Sequence, residues 1–541
     1  MNEVQGRNGE FNGSLFDRGS SSAAPIMIGS GEINLSMLDK STVIFGPPGT
    51  GKTTAIERLV TQIRDISPEP DNPSMAYLTY SRALAKDARE RIGLHSKAMV
   101  GTFHSVLHRM LGWVRGRGQE GDYLSDEDVS EFCRKYGISK TGKVQTERED
   151  TEGDDDWSRF LMAYERAYST FPDVKRPSLF VDLPFNVDAI MAKYEGLKKE
   201  KRKHDYVDIL VESYTSLELP RIKYLIVDEA QDMNPLMWKI VDKWPKDVLL
   251  IAGDDDQSIY EFRGATPELF LARRKGSKVF HLSQTHRFGP NILSVCKDVS
   301  GRIKTREKKE YAPANIDDKV SRRFNLEEFL DLNGSKMMLF RTRFLASSYS
   351  RQLVERGIPF LPINSRHSWI SPWSKRLIRL NNILHDFPEV SDADLAFLVE
   401  HLPAAMLKRG IKTSVEKDGM TKLRESMKGT LVTDIMNIIF ERVPGKEDLL
   451  RGLKVTDDKK RLMMHLNKIL ESDLLLVDTF HAAKGKESNN VAVALDMTRK
   501  VFNTFMENPD SEWRALYVAV SRAKNSLTLL TLNVTEWRYP I

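Results

Sequence analysis

The chain alternates short apolar runs with longer stretches in which apolar residues recur every three or four positions. The runs are STVIFG at 41–46, MAYLTY at 75–80, YLIVDE at 224–229 and DVLLIAGD at 247–254. A second set comprises MMLFRT at 337–342, LLLVDTF at 474–480, VAVALDM at 491–497 and LTLLTL at 527–532. Short runs rich in Val, Leu and Ile, separated by helical spacing, predict parallel strands buried on both faces. Two sets of them predict two α/β cores. Residues 106–205 and 366–470 interrupt the alternation with mainly helical patterns, and each is expected to be an insertion into one core. The expected domains are a Gly-, Ser- and Asn-rich flexible tail over 1–33, core 1A over 34–105 and 206–280, and insertion 1B over 106–205. Core 2A follows over 281–365 and 471–541, interrupted by insertion 2B over 366–470.

Composition narrows the class. At roughly 100–200 residues per domain, the 541 residues suit several compact units rather than one. Hydrophobic residues at 40% and charged residues at 29% argue against a long disordered scaffold. No run reaches the roughly 18 apolar residues of a membrane span, which excludes an integral membrane protein. The first residues lack the basic-then-apolar plan of a secretion signal, so a cytoplasmic location is expected (the host's cytoplasm for a viral chain). Cys133 and Cys296 are the two cysteines, too few for a disulfide framework or a multi-cysteine zinc site. A net charge of +5 is nearly neutral for this length and suggests no partner. It averages unlike regions, with an acidic stretch from Glu147 to Asp156 and a basic cluster, KKEKRK, at 198–203. The acidic stretch is read as solvated surface.

GPPGTGKT at 46–53 follows one predicted strand and opens an amphipathic helix, the context a phosphate-binding loop requires. Gly46, Gly49 and Gly51 allow backbone conformations closed to other residues, so N–H groups can converge on phosphate oxygens. The helix N-terminus, with Thr53 and Thr54 in its first turn, adds partial positive charge. Lys52 would reach the outer phosphates of ATP and the Thr53 hydroxyl would ligate Mg²⁺. An ordinary glycine-rich βα turn is the plainer reading, and the full pattern with its flanks outweighs it. The expected partner is a carboxylate at the tip of another strand, supplied by YLIVDEAQD at 224–232. There Asp228 suits Mg²⁺, and Glu229 could deprotonate an attacking water.

With these residues in place the chain resembles superfamily 1 DNA helicases of the UvrD/PcrA/Rep type. The resemblance runs in order through YLTYSRALAKDARERI at 77–92, GTFHS at 101–105, HDYVDIL at 204–210, VDEAQDMNP at 227–235 and AGDDDQSIYEFRGA at 252–265. It continues through LSQTHRFGPNI at 282–292, LFRTRFLASSYSRQLVERGIPF at 339–360, VDTFHAAKGKE at 477–487 and EWRALYVAVSRAKNSLTLL at 512–530. It implies two RecA-like P-loop cores with parallel sheets, each interrupted by a mainly helical insertion. It also implies ATP and Mg²⁺ as cofactors, with single-stranded DNA and single-strand/duplex junctions as partners and replication or repair as setting. Gln257 would sense the γ-phosphate, and Arg287 and Arg522 would act as arginine fingers, each near the start of a helical pattern. His286 would stack on adenine where the family has tyrosine, and Glu487 would contact the ribose. Tyr80, Phe103, His104, Tyr260, Phe262, Arg263 and His481 would hold DNA, with core packing the expected role for one or both of Tyr80 and Phe103.

The chain departs from that family at several points. No glutamine stands in INLSMLDK at 33–40, Pro47 and Pro48 enter the phosphate loop, and Phe262 replaces tryptophan. Lys486 and Ser488 stand where apolar residues are usual, and Trp537 is a weak match to a strand-separating pin. The expected activity is ATP-driven 3′→5′ translocation on single-stranded DNA with unwinding of duplex. The rival readings are a translocase that displaces proteins but unwinds poorly, a nucleotide-regulated DNA-binding module and a small-molecule kinase. Intact Glu229, Gln257, Arg287 and Arg522 argue against the binding module, and the kinase leaves the second core and its arginines unexplained.

Overall fold

The computed structural model describes residues 24–29, 32–66, 75–80, 85, 99–115, 123–140, 155–170, 176–356, 358, 360–363, 399, 402, 404–409, 411–412, 475–532 and 536–541. Most of insertion 2B, most of the tail, Glu147–Asp154 of the acidic stretch and most of the segment after Tyr80 lie outside them. The first sheet is built from β1 (Ile26–Ile28), β2 (Ser41–Phe45), β3 (Met75–Thr79), β4 (Met99–Thr102), β5 (Ile222–Val227), β6 (Lys246–Gly253) and β7 (Lys278–Leu282). Its order is β1-β7-β2-β6-β5-β3-β4, with every pairing parallel. The second sheet is built from β8 (Lys319–Ser321), β9 (Lys336–Phe340), β10 (Phe360–Leu361), β11 (Leu475–Thr479), β12 (Ser488–Ala494) and β14 (Ala523–Leu530). Its order is β10-β11-β9-β12-β14-β8, again all parallel. A short antiparallel pair, β13 (Asp496–Met497) with β15 (Trp537–Arg538), stands apart.

Parallel sheets need both faces covered, and the alternation of side chains along each strand shows how. Ile44 of β2 faces α1 (Lys52–Ile66), joining Ala55, Ile56, Leu59, Val60 and Ile63. Val43 and Phe45 face the opposite way, toward α2 (Phe103–Arg115), which opens 1B, and two helices described below. Within 1B, α3 (Asp126–Tyr136), α4 (Asp156–Thr170) and α5 (Val187–Lys201) enclose a core of their own around Phe132, Trp157, Phe160 and Tyr194. The lower face of the first sheet is completed by α6 (Tyr206–Thr215) and α7 (Pro235–Lys243). A short α8 (Pro267–Ala272) leads into β7. In the second sheet Met337 and Leu339 face α9 (Pro290–Gly301) and α13 (Pro509–Val520), while α12 (Arg499–Glu507) flanks the latter. Met338 and Phe340 face α10 (Leu326–Asp331) and α11 (Arg343–Glu355).

Four differences from the sequence reading have physical causes. Ile26–Ile28, counted in the expected tail, pairs with β7, and Ile28 and Ile33 bury in the α1 core. The proposed boundary at 105/106 falls inside α2, whose Val106, Leu107, Met110 and Leu111 belong to the first core. The boundary at 280/281 falls inside β7, whose ladder with β2 runs past it to His281. At the described end of the acidic stretch, Asp156 is partly exposed but Asp155 is buried and accepts the Ser158 N–H at 2.7 Å, so it caps the start of α4. The basic cluster is likewise internal to 1B. Lys198 is buried among Glu195, Asp205 and Asp208, and Lys201 and Lys203 both pair with Asp128.

Candidate functional site

The loop between β2 and α1 lies at the carboxyl ends of the first sheet's strands, where open α/β sheets place ligands. Gly49 and Gly51 have φ of 73° and 77°, the left-handed region that glycine enters freely. A Cβ at Gly49 would lie 2.5 Å from the Cβ of Arg287, so the loop touches the second half of the molecule where glycine alone fits. Two hydrogen bonds hold the halves there: the His286 N–H donates to the Gly49 carbonyl at 2.8 Å and the Thr285 hydroxyl to that of Pro48 at 2.8 Å. Gly46 approaches Lys52 so closely that a Cβ would meet the lysine's own Cβ at 3.0 Å.

Lys52 reaches across to Glu229 at 3.2 Å. Burial alone would pull this ammonium down, but Glu229, Asp228 and Asp254 together raise it above its ordinary value. Glu229 itself sits just past β5 at a φ of 54°, a strained conformation for a residue with a side chain. Burial pushes its carboxyl up, yet Lys52 and then Lys484 outweigh that and hold it at about 2. Asp228 behaves oppositely. Burial and then the neighbouring Glu229 push it up to about 6, while Tyr77 donates to it at 3.1 Å and the Glu229 N–H at 2.8 Å. A buried carboxyl raised in this way is short of positive charge. Such a carboxyl fits a divalent cation such as Mg²⁺, with the Thr53 hydroxyl on the cleft wall as a further oxygen donor, and the glycine cradle fits a polyphosphate.

The opposite wall comes from the second core. Arg522 is buried and donates to the Gln257 side-chain oxygen at 2.8 Å, and Gln257 in turn donates to Asp254 at 2.7 Å. Burial and then Arg287 pull the Arg522 guanidinium down to about 9, so the two arginines together create a demand for an anion. Arg287 pairs with Glu487 at 2.9 Å and donates to the Ser521 carbonyl at 3.0 Å, and Glu487 also pairs with Lys524. Contrary to the sequence reading, Arg522 does not begin a helix. It follows α13 and precedes β14, because the apolar LYVAV run is helical before the strand starts at Ala523. These walls enclose a cleft of about 580 Å³ lined by Gly49, Gly51, Lys52, Thr53, Thr54, Glu229, Gln257, His286, Arg287, Glu487 and Arg522. Gly46 and Asp228 sit behind that surface.

Four of the seven residues expected to hold DNA form a row beside the cleft. Tyr80 stacks on Tyr260 at 5.3 Å, Tyr260 leans on Phe262 at 6.1 Å, and Phe262 meets His481 edge-on at 5.6 Å. Phe103 is only 3% exposed and packs in the first core, so it does not extend that row, although it borders the cavity described next. His104 and Arg263 instead line a second, smaller cavity of about 130 Å³ between that core and 1B, with Tyr123 and Tyr206. Burial and then Arg263 hold His104 down at about 4, and Arg263 pairs with Glu165 of α4 at 3.4 Å. Trp537 stacks on Phe502 at 6.2 Å within the β13–β15 pair.

Sequence reasoning missed Lys484. Its ammonium donates to Asp232 and to the Gln257 carbonyl, and sits 5.0 Å from the centre of the Tyr260 ring, so it touches both the cleft and the ring row. The signal was present in HAAKGKE, which places two lysines beside Glu487. Thr285, Tyr77, Asp254 and Gln231 were missed as well. They too lie inside segments that carry the family resemblance, but nothing in their residue types singles them out.

Comparison with known proteins gives a consistent answer. A family model described as the UvrD/REP helicase N-terminal domain matches residues 31–278. A DNA helicase II homolog from Mycoplasma pneumoniae is 23% identical, over 91% of this chain and 82% of its own length. The ATP-dependent DNA helicase YjcD of Bacillus subtilis is 25% identical over 72% of this chain, which spans 56% of that protein. Among solved structures, the Arterivirus nonstructural protein 10 helicase covers 91% of this chain at 11% identity with a TM-score of 0.32. The fold itself rests on the two parallel sheets rather than on that likeness.

Proposed function

We propose that this chain, which is similar to helicases of the UvrD type, hydrolyses ATP to move along single-stranded DNA, 3′→5′, and to separate duplex at a junction. One observation carries the reading: Arg522 from one core bonds Gln257 from the other, within a cleft whose floor is the phosphate loop. A site completed by both cores makes hydrolysis depend on their relative position, the physical requirement of a motor.

The chemistry follows from the residues. On nucleotide binding, Lys52 exchanges Glu229 for phosphate oxygens and frees that carboxylate. Glu229, ionised at any physiological pH, then orients a water and takes its proton. Mg²⁺, held by Thr53 and Asp228, would supply charge neutralisation at the outer phosphates. Arg287 and Arg522 neutralise the charge that develops on the transferred group, and Gln257 registers its departure. Lys484 links that event to Tyr260, so phosphate release can alter the grip of the ring row on bases. Each stacked base contributes roughly 1–3 kcal/mol without reading sequence.

A translocase with weak unwinding is the second reading. It is favoured by Trp537, which lies in a paired strand against Phe502 rather than on a projecting hairpin. Duplexes carrying a 3′ or a 5′ single-stranded tail, incubated with ATP, separate the two. Unwinding of the 3′-tailed substrate alone supports the first. Hydrolysis stimulated by single strands without unwinding supports the second. No stimulation by single strands sinks both.

A further inference from the structure

Gln257 is held from a direction the nucleotide cleft does not include. Its side-chain nitrogen donates to one oxygen of Asp254 at 2.7 Å, and the other oxygen of Asp254 receives Lys309 at 3.0 Å. Lys309 belongs to the segment after α9 in the second core, and its side chain is 1% exposed. The same ammonium also meets Asp255 and, at 3.0 Å, Asp256. Asp254 thus bridges a fixed cation and the amide, and accepts from both. Because a carboxylate can only accept here, the Gln257 nitrogen must face Asp254, which leaves its oxygen for Arg522 at 2.8 Å. An amide free to turn over would present N–H groups to the guanidinium half of the time, a donor facing a donor.

We propose that Lys309 is a positioning residue for ATP hydrolysis: acting through Asp254, it fixes the orientation of the Gln257 amide and so the seat of Arg522. The inference rests on the hydrolytic reading of the cleft and adds a residue that touches neither nucleotide nor DNA. It also gives the second core two holds on the Gln257 side-chain amide, Arg522 from the front and Lys309, through Asp254, from behind. Both must keep register for the amide to point correctly.

Lys309→Met removes the cation and leaves three buried aspartates, so a compensated double variant, Lys309→Met with Asp255→Asn, is made alongside it to keep charge balance and folding. Asp255 bonds Lys309 and the Glu307 N–H but not Gln257. Outer residues that orient an inner one are worth about 10–100-fold in activity. The expected result is a fall of that size in kcat for ATP, with affinity for a fluorescent ATP analogue unchanged. In a Gln257→Ala background the same substitution should change kcat by less than about twofold, since the effect runs through the amide. In a nucleotide-free crystal structure of the double variant, the Gln257 amide should no longer be hydrogen-bonded to Arg522. Wild-type kcat in the folded variant, an equal loss in the Gln257→Ala background, or a Gln257 oxygen still bonded to Arg522 would each overturn the proposal. Absence of hydrolysis by the wild-type protein would overturn the reading beneath it as well, and is told apart by that control.

Discussion

At the scale of single residues, the cleft is a set of opposed charges contributed by both cores. Glu229 stores backbone strain, sits against Lys52 and stays ionised, which suits a base that must not be protonated before its water arrives. Glu229→Gln keeps the shape and removes the proton acceptor. Turnover should fall by about 10²–10⁴-fold while fluorescent-nucleotide binding is retained or tightens as Lys52 is released; near-normal steady-state hydrolysis would remove Glu229 from the chemistry. Asp232 offers a pH test. Burial is the main reason that its carboxyl is pushed up to about 7, even though Lys484 bonds it, and its second oxygen has no hydrogen-bond partner among the described residues. The folded protein therefore keeps a proton that the unfolded chain loses near pH 4, so stability falls as pH rises from there through about 7, by at most about 1.4 kcal/mol per unit. Asp232→Asn should flatten that slope in urea titrations taken across the range; an unchanged slope would assign it elsewhere. The motif residues of this site could be read from sequence because each sits in a contiguous pattern. Lys309 and Thr285 could not, because their roles come from partners 55 and 237 positions away in the chain.

At the scale of elements, the strands visible in the sequence are those buried on both faces. All eight apolar runs became strands, and β12 and β13 together account for VAVALDM. The strands that were missed are short or mixed: β1, β8 and β10 are edges of two or three residues, β15 has two residues, β4 contains Gly101, and β7 reads KVFHL with a lysine and a histidine. Edge strands cover only one flank, so they need no apolar run and leave no signature. The loop between β2 and α1 shows the opposite case, legible to the residue. Gly49→Ala would place a methyl group against Arg287 and force a left-handed backbone costing about 1–2 kcal/mol. Nucleotide binding should be lost in a fluorescence titration while circular dichroism stays native; unimpaired binding would mean that the loop can move away from the second core without consequence.

At the scale of the whole molecule, the two sheets are joined by buried charges as well as by apolar contact, in which Ile259, Tyr260 and Ala265 pack into the core of the second sheet. Asp254, Asp255 and Asp256 come from the first core; Arg306, Lys309 and Arg514 from the second. Arg514 alone donates to the Asp255 carbonyl, Glu261 and the Thr305 carbonyl. Removing one partner of a buried pair costs about 3–5 kcal/mol. Arg514→Met should therefore lower the calorimetric midpoint and split one unfolding transition into two, one for each core. A single transition at the wild-type temperature would show that the cores are held together by something else.

The same arrangement sets a timetable for synthesis. The first sheet is complete in sequence at Leu282, but its three aspartates meet their cations only when residues 306 and 309 emerge, and Arg514 follows some two hundred positions later. At about 5–20 residues per second, the nascent first half waits seconds for Lys309 and tens of seconds for Arg514. During that interval its acidic triad stays hydrated and its nucleotide loop lacks a second wall. A ribosome-bound chain stalled before Arg306 should hence bind nucleotide weakly and hydrolyse none, which makes synthesis of the second half the first switch on hydrolysis.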